Sequence, residues 1–473
     1  MINNNIFRNK VKEYKGKIFI EHQSSIYKYS FCDILSDKIY NSIGSNNLVL
    51  IINNNKPMAL LGYYACLLSN NIPMLISNKS SFDIINKIVI DYGIKYIYAD
   101  NEIIIEHLKS IFCFFDATLY DTQNKKQRIN PDIATLIFTS GTTGDSKAVC
   151  LTRKNLEFAA QISSEEYNIK DSDKMLALLP INNISGLILS NMHFVSGASI
   201  LYPENIMLSK EFFDEVDTKN VTNFAGVPYT FEILQKMGFF NKNLEKLRFI
   251  IKGGAPNHPK TQKTLIEYAK KFKKNYYNAY GQTETSSMIT FYLCESIEKN
   301  VNCVGKPYQH IEVLIENDES QLSNRPYELG EICVKGLNVM AKYVNNLSEL
   351  NDIDLSNTPR MHKTGDVGYF DEDGYLYVTG RIARFAKILG ERYNLNHIEM
   401  ILNQEFYNNI FAVIEYDKKI CIYTDSTMQK ELIEFLQSKI MIHKNHIRVI
   451  YTKDIERLEN GKIDYRLLIA KQG

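Results

Sequence analysis

Phe138-Thr139-Ser140-Gly141-Thr142-Thr143-Gly144-Asp145-Ser146-Lys147 is the stretch around which this 473-residue chain is organised. The apolar run ending at Ile137 and Phe138 reads as a buried strand, and the residues after it are small, hydroxylated or glycine until Lys147. Glycine permits backbone conformations and approach distances that a side chain forbids, so the N–H groups of such a loop can turn toward anionic oxygens. The hydroxyls of Thr139, Ser140, Thr142 and Thr143 and the ammonium of Lys147 add donors. An oligophosphate suits this composition. The spacing departs from G-x-x-x-x-G-K-[ST], so this is not the ordinary nucleotide-triphosphatase loop. The competing reading is a plain Ser/Thr/Gly turn after a strand.

Outward from the loop, hydrophobic runs and helical patterns alternate. Upstream the order is strand 48–52, helix 57–69, strand 73–76, helix 81–92 and strand 94–98, with Pro57 suited to a helix first turn. The polar stretch 116–132 reads as a surface linker into the loop-bearing strand. Downstream, Thr152 can cap a helix reaching about residue 167, and strands follow near 175–179, 200, 221–224, 249–251 and 275–279. This alternation predicts an α/β fold with helices covering mostly parallel sheets. Two of the strands run into Gly226-Val227-Pro228 and Gly253-Gly254-Ala255-Pro256. Ligands of such sheets sit outside the carboxyl ends of strands, so these ends and the phosphate loop are expected to face one crevice.

From Val304 to Asp366 the pattern becomes β-rich, and after Gly380-Arg381 the composition shifts again. Two domains are therefore expected, 1–380 with a β-rich subdomain near its end and 381–473 as a small α+β unit. A net charge of +1 gives no electrostatic reason to expect nucleic acid as a partner. The eight cysteines contain no Cys-x-x-Cys pair, which fits a reduced compartment. The start Met1-Ile2-Asn3-Asn4-Asn5 has no basic segment leading into an apolar one, and no apolar run is long enough to span a membrane. A cytoplasmic location is the expectation.

Thr-Ser-Gly-Thr-Thr-Gly-x-x-Lys at 139–147 resembles the phosphate loop of the adenylate-forming superfamily of acyl-CoA and aryl-CoA synthetases and adenylation domains, with Ser146 and Ala148 in place of the usual proline and glycine. Further matches follow in the family's order: Tyr280-Gly281-Gln282-Thr283-Glu284, Thr364-Gly365-Asp366, Gly380-Arg381 with Lys387, Gly390 and Arg392, and Asn460-Gly461-Lys462. Locally, Pro180-Ile181-Asn182-Asn183-Ile184-Ser185-Gly186-Leu187 and Gly336-Leu337-Asn338-Val339-Met340 are similar to o-succinylbenzoate:CoA ligases. Asn183 stands where those enzymes have histidine, and Ala383 where the family usually has an aspartate or lysine hinge.

The resemblance implies ATP-dependent activation of a carboxylic acid to an acyl adenylate with release of pyrophosphate, then thioester formation with coenzyme A or a carrier-protein phosphopantetheine. It implies that Thr139, Ser140, Gly141, Thr142, Thr143, Gly144 and Lys147 hold the β- and γ-phosphates. Gly253, Gly254, Ala255, Tyr280 and Gly281 would bind the nucleotide, Tyr280 by stacking on adenine, and Asp366 with Arg381 the ribose. Thr283 would bond the α-phosphate, Glu284 hold magnesium, and Lys462 act as the catalytic lysine. A single carboxylate ligand suits magnesium, which keeps waters and bridges phosphates. Asn183, Val227, Gly253, Gly254 and Gly281 would wall the acid pocket, and Lys387 and Gly390 the thiol path after rotation of the C-terminal domain. A ligase that passes the adenylate to an amine or a carrier protein shares these motifs. So does a non-catalytic adenylate-binding relic, against which Glu284, Asp366 and Lys462 argue.

Overall fold

The computed structural model describes residues 5–101, 103, 108–127, 129–139, 147–295, 302–356, 359–458 and 461–472. Two large sheets dominate. Among the described residues, one has eight strands, with the parallel strands Ile133–Phe138, Ile72–Ser77, Leu48–Asn53 and Tyr96–Asp100 at its centre. The other has fourteen, and its parallel part runs from Asn275–Tyr280 through Phe249–Lys252, Asn223–Gly226, Lys174–Leu176 and Ser199–Tyr202 to Ile18–His22. Successive side chains of a strand alternate between faces. Val49 and Ile51 therefore join the central core with Ala225, Phe249 and Ile251, while Leu48, Leu50 and Ile52 join one outer cluster and Phe224 and Ile250 another. Burial on both faces explains the unbroken apolar runs. The helix Pro57–Leu68 lies in the central core and is buried along its whole length.

One expectation is corrected. The stretch 116–132 is not only a linker, because Ala117–Asp121 forms a strand paired antiparallel with both Tyr96–Asp100 and Lys109–Phe114. Its Ala117, Thr118 and Leu119 are buried, and a turn with Phe115 at positive φ makes the reversal. Between the phosphate stretch and the helix expected after Thr152 lies a buried strand for which no element was expected, Ala148–Thr152, antiparallel to Ile133–Phe138. Thr152 then caps helix Arg153–Glu166 through a reciprocal bond with Asn155. The segment before Leu48, for which no elements were expected, holds helices Ile6–Glu13 and Tyr29–Ile43 and the strand pair Ile18–His22 and Ser25–Lys28.

The antiparallel strands Cys303–Pro307, Leu376–Arg381, Arg360–Phe370, Gly330–Gly336 and Glu312–Glu316 extend the larger sheet, which is the β-rich portion. After Arg381 come a hairpin (Phe385–Ile388, Glu391–Asn394) and a separate three-stranded sheet (Phe411–Tyr416, Lys419–Thr424, Ile447–Tyr451). Two hydrophobic clusters drawn wholly from residues after 385 flank that sheet, so this part has a core of its own.

Candidate active site

The two strands flanking the expected phosphate loop form a closed neck. The Thr139 N–H donates to the Lys147 carbonyl at 3.1 Å, between antiparallel strands that pair Phe138 with Ala148. Ser140, Gly141, Thr142, Thr143 and Gly144 lie outside the described residues, as does Asn460. Lys147 Nζ stands 5.6 Å from the centroid of the Tyr343 ring. The Tyr343 hydroxyl donates to Glu284 Oε1 at 2.6 Å, and burial together with that carboxylate pushes its pKa up. A residue unsuspected from the sequence thus joins the phosphate loop to the expected metal ligand.

Glu284 sits in the short turn Thr283–Thr285 that follows strand Asn275–Tyr280. Gly281 is needed there, because a Cβ on it would lie 2.1 Å from the Ser287 carbonyl oxygen. The turn is braced by 336–340. Asn338 Nδ2 donates to the Met288 carbonyl at 2.6 Å, Ser286 Oγ to the Asn338 carbonyl at 2.8 Å, and the Met340 N–H to the Glu284 carbonyl at 2.8 Å. Among the described residues no group of three or more His, Cys, Asp or Glu side chains forms a metal cage. A hard ion on one fixed carboxylate oxygen, completed by phosphate oxygens and water, is the arrangement magnesium accepts.

Asp366 is buried at the centre of a four-residue cluster. Its Oδ1 accepts from Arg381 Nε at 2.7 Å, and its Oδ2 accepts from the Tyr280 hydroxyl at 2.6 Å and Gln282 Nε2 at 2.7 Å. The aspartate raises the pKa of Arg381, and burial and the aspartate raise that of Tyr280. Asp366 is the residue expected to meet the ribose together with Arg381. Both oxygens already have donors, so a ribose would share the remaining lone pairs or displace the tyrosine hydroxyl. Gln282, the variable position of its motif, carried no signal in the sequence. Nor did His362, a partly buried imidazole whose Nε2 has no hydrogen-bond partner among the described residues and which lies within the fields of Glu284, Glu331 and Asp366.

Lys462 comes from the other end of the chain to the same place. Desolvation first, then Arg381, lower its pKa, while Asp366 and Glu284 oppose them. The ammonium therefore shares one electrostatic environment with the expected metal ligand and the expected ribose residues. Lys387 and Gly390 are both exposed, on the hairpin formed by Phe385–Ile388 and Glu391–Asn394, whose tip residue Leu389 is 81% exposed.

The neighbouring strand ends form the other wall. Gly253 N–H donates to the Gly226 carbonyl at 3.1 Å, and Gly254 lies against Val227, with Ala255 following. Asn183 caps helix Ile184–Ser196, its Oδ1 accepting the Ser185 N–H at 3.0 Å. The Ser185 and Ser287 hydroxyls are 2.9 Å apart, which ties this helix start to the Gly281 turn. Ser287 was not among the expected pocket residues.

The family model described as AMP-binding enzyme matches residues 38–344. The chain belongs to the AMP-binding enzyme family. It is 30% identical over 349 residues to a 2-succinylbenzoate–CoA ligase of Oceanobacillus iheyensis, covering 72% of this chain and 70% of that protein. It is 33% identical over 269 residues to the enzyme of the same name from Bacillus subtilis, covering 57% and 53%. Among solved structures, the O-succinylbenzoate coenzyme A synthetase of Bacillus subtilis in complex with AMP superposes with a TM-score of 0.77 at 25% identity, covering 97% of this chain and 96% of that one. The MatB of Rhodopseudomonas palustris with ATP bound, at 17% identity and a TM-score of 0.78, shares the fold.

Proposed function

We propose that this member of the family is an AMP-forming acid–thiol ligase, with residues 1–380 as the adenylation domain and 381–473 as a mobile lid. It uses ATP, magnesium and a small carboxylic acid to make an acyl adenylate, then a thioester with coenzyme A. The observation that carries the reading is that Lys462, from the C-terminal unit, lies within the electrostatic fields of Arg381, Asp366 and Glu284. In the first half-reaction two anions must approach, so the protein's task is to position and neutralise. The phosphate loop from Thr139 to Lys147 holds the β- and γ-phosphates, Thr283 the α-phosphate, and Tyr280, Asp366 and Arg381 the nucleoside. Glu284 would hold magnesium, whose charge would offset that of the phosphates. The Lys462 ammonium, a compact point charge, spans the carboxylate and the α-phosphate. In the second half-reaction the lid turns about the segment after Arg381, withdraws Lys462 and brings Lys387 and Gly390 toward the thiol path.

The relatives' names favour 2-succinylbenzoate or a close aryl or acyl acid as the substrate. No helix among the described residues is long and apolar enough to cross a membrane, and a cytoplasmic setting suits the reaction. The experiment is pyrophosphate exchange across a panel of acids, followed by thioester formation with coenzyme A or a pantetheinylated carrier protein. Exchange with an aryl or acyl acid and transfer to coenzyme A is the expected result. Transfer only to a carrier protein or an amine replaces the acceptor, and no exchange with any acid makes the chain a nucleotide-binding relic.

A further inference from the structure

The loop that carries Lys462 is docked on the larger unit through an arginine. Arg457 and Ile463 form an antiparallel bridge, Leu458 N–H donates to the Lys462 carbonyl at 2.8 Å, and Gly461 N–H donates to the Leu458 carbonyl at 2.8 Å. The loop is therefore closed at its base. Arg457 Nη1 donates to the Gly461 carbonyl at 3.0 Å, its Nη2 lies 3.5 Å from Glu232 Oε2, and its guanidinium stands 5.2 Å from the Tyr229 ring centroid.

Tyr229 and Glu232 belong to helix Pro228–Lys236, whose N-cap is Val227, a wall of the acid pocket. Gly461 rests on the same helix start. At its φ of +77° a Cβ would lie 3.0 Å from Tyr229 Cβ and 3.1 Å from Val227 Cγ2, so only glycine fits without a shift. The ion-pair side chains are 22% and 25% exposed, which puts the pair at the seam and not in open solvent. Burial raises the Glu232 pKa and Arg457 lowers it.

We propose that Arg457 is a positioning residue, a latch that with Glu232 and Tyr229 holds Lys462 over the reacting centre for adenylation and must release before thioester formation. The proposal rests on the two-step reading above. A planar guanidinium suits this task because it can bond a carbonyl, pair with a carboxylate and stack on a ring at once. A misplacement of the lysine by the order of one ångström would cost rate and not nucleotide affinity.

The test uses the full chain with Arg457→Ala and Arg457→Lys, and 2-succinylbenzoate as the probe acid. Arg457→Ala should lower kcat of pyrophosphate exchange by at least about tenfold, with the ATP KM changed by less than about threefold. Arg457→Lys should recover part of that loss. Thioester formation from presynthesised succinylbenzoyl adenylate and coenzyme A should be unchanged or faster. Equal falls in both half-reactions, or unchanged exchange, overturn the latch. Should the wild-type protein not activate the probe acid, that outcome counts against the substrate, and tryptic cleavage between Arg381 and Arg392 in the presence of ATP reads the latch without it. Arg457→Ala should then be cut faster than wild type and Lys462→Ala at the wild-type rate, and equal cutting of all three overturns the proposal.

Discussion

Arg381 and Arg384 are three residues apart and are anchored in different cores. Arg381 Nε bonds Asp366 at 2.7 Å in the larger unit. Arg384 forks onto Glu399 at 3.0 and 3.2 Å and lies 3.7 Å from the centroid of the Tyr465 ring, whose hydroxyl also bonds Glu399 at 3.0 Å. Between two clamped arginines, Ile382 and Ala383 are left to absorb any rotation, in the short turn Ile382–Arg384. A pivot needs backbone freedom more than a particular side chain, which is why alanine can stand there. Ala383→Pro, which fixes φ, should leave pyrophosphate exchange within about threefold of wild type and slow thioester formation by about tenfold or more. Comparing the two half-reactions on the same preparation checks it, and equal slowing would place the pivot elsewhere.

Lys462→Ala should abolish adenylation while ATP binding survives, since loss of a preorganised charge at the reacting centre costs on the order of 3 kcal/mol or more in the barrier. Desolvation by the surrounding protein and the Arg381 charge lower the pKa of Lys462, although its surface is exposed in the free protein, so the ammonium is lost below the ordinary lysine range as pH rises. The alkaline limb of kcat/KM for exchange, which reports the free enzyme, should fall at lower pH than the limb of kcat, because bound triphosphate favours the charged lysine. Coincident limbs would remove Lys462 from the titrating step.

Tyr343 orients Glu284 through one short bond, and a bond to a charged group contributes about 1.5–3 kcal/mol. Tyr343→Phe should therefore raise the magnesium concentration needed for half-maximal exchange by about tenfold or more, with little change in melting temperature, because only the hydroxyl is lost. A titration of exchange rate against magnesium decides it.

That tyrosine marks the limit of what the sequence shows. The parallel strands were legible because both of their faces are buried, giving unbroken runs such as Leu48 to Ile52, and the motif residues were legible because each motif is local. Tyr343, Gln282 and Arg457 were not, since their partners lie 59, 84 and 225 positions away, in contacts that exist only after the sheets and the C-terminal unit assemble. The antiparallel strands Ala117–Asp121 and Ala148–Thr152 were missed because five residues beside a polar or glycine-rich loop carry too little periodicity.

Lys252 is a buried lysine on the strand that ends at Gly253-Gly254, with Nζ 2.9 Å from Asn278 Oδ1. Burial pulls its pKa from 10.5 down to about 8. Between these values the unfolded chain binds more protons than the folded one, so the contribution of Lys252 to stability rises with pH across that window. Below about 8 the full penalty remains, on the order of 3 kcal/mol. Lys252→Met should lack the rise, so the unfolding free energies of wild type and variant, measured by denaturant from pH 7 to 10.5, should differ by a pH-dependent amount that favours wild type increasingly at high pH. A constant difference would show an unperturbed lysine.

The acid itself should lack an α-ammonium group. Between Met175 and Val195 the chain has no Asp or Glu, and the helix start there offers only dipoles. The Asn183 oxygen is already used as a cap, and the Ser185 and Ser287 hydroxyls bond one another at 2.9 Å. Glu232, the carboxylate on the helix that begins beside Val227, is paired with Arg457. A desolvated ammonium in this setting would have no counter-charge and would be strongly disfavoured. The Asn183 amide nitrogen and the serine pair can instead donate to a carbonyl or a second carboxylate, which suits a keto acid or a dicarboxylic aryl acid. Exchange with 2-succinylbenzoate or a simple aryl acid should exceed that with every proteinogenic amino acid by at least about a hundredfold, the discrimination of roughly 3 kcal/mol that an unpaired buried charge imposes. Asn183→Asp should narrow the gap by admitting a cation. An amino acid exchanging faster than every simple acid tested would show that the counter-charge comes from another part of the chain.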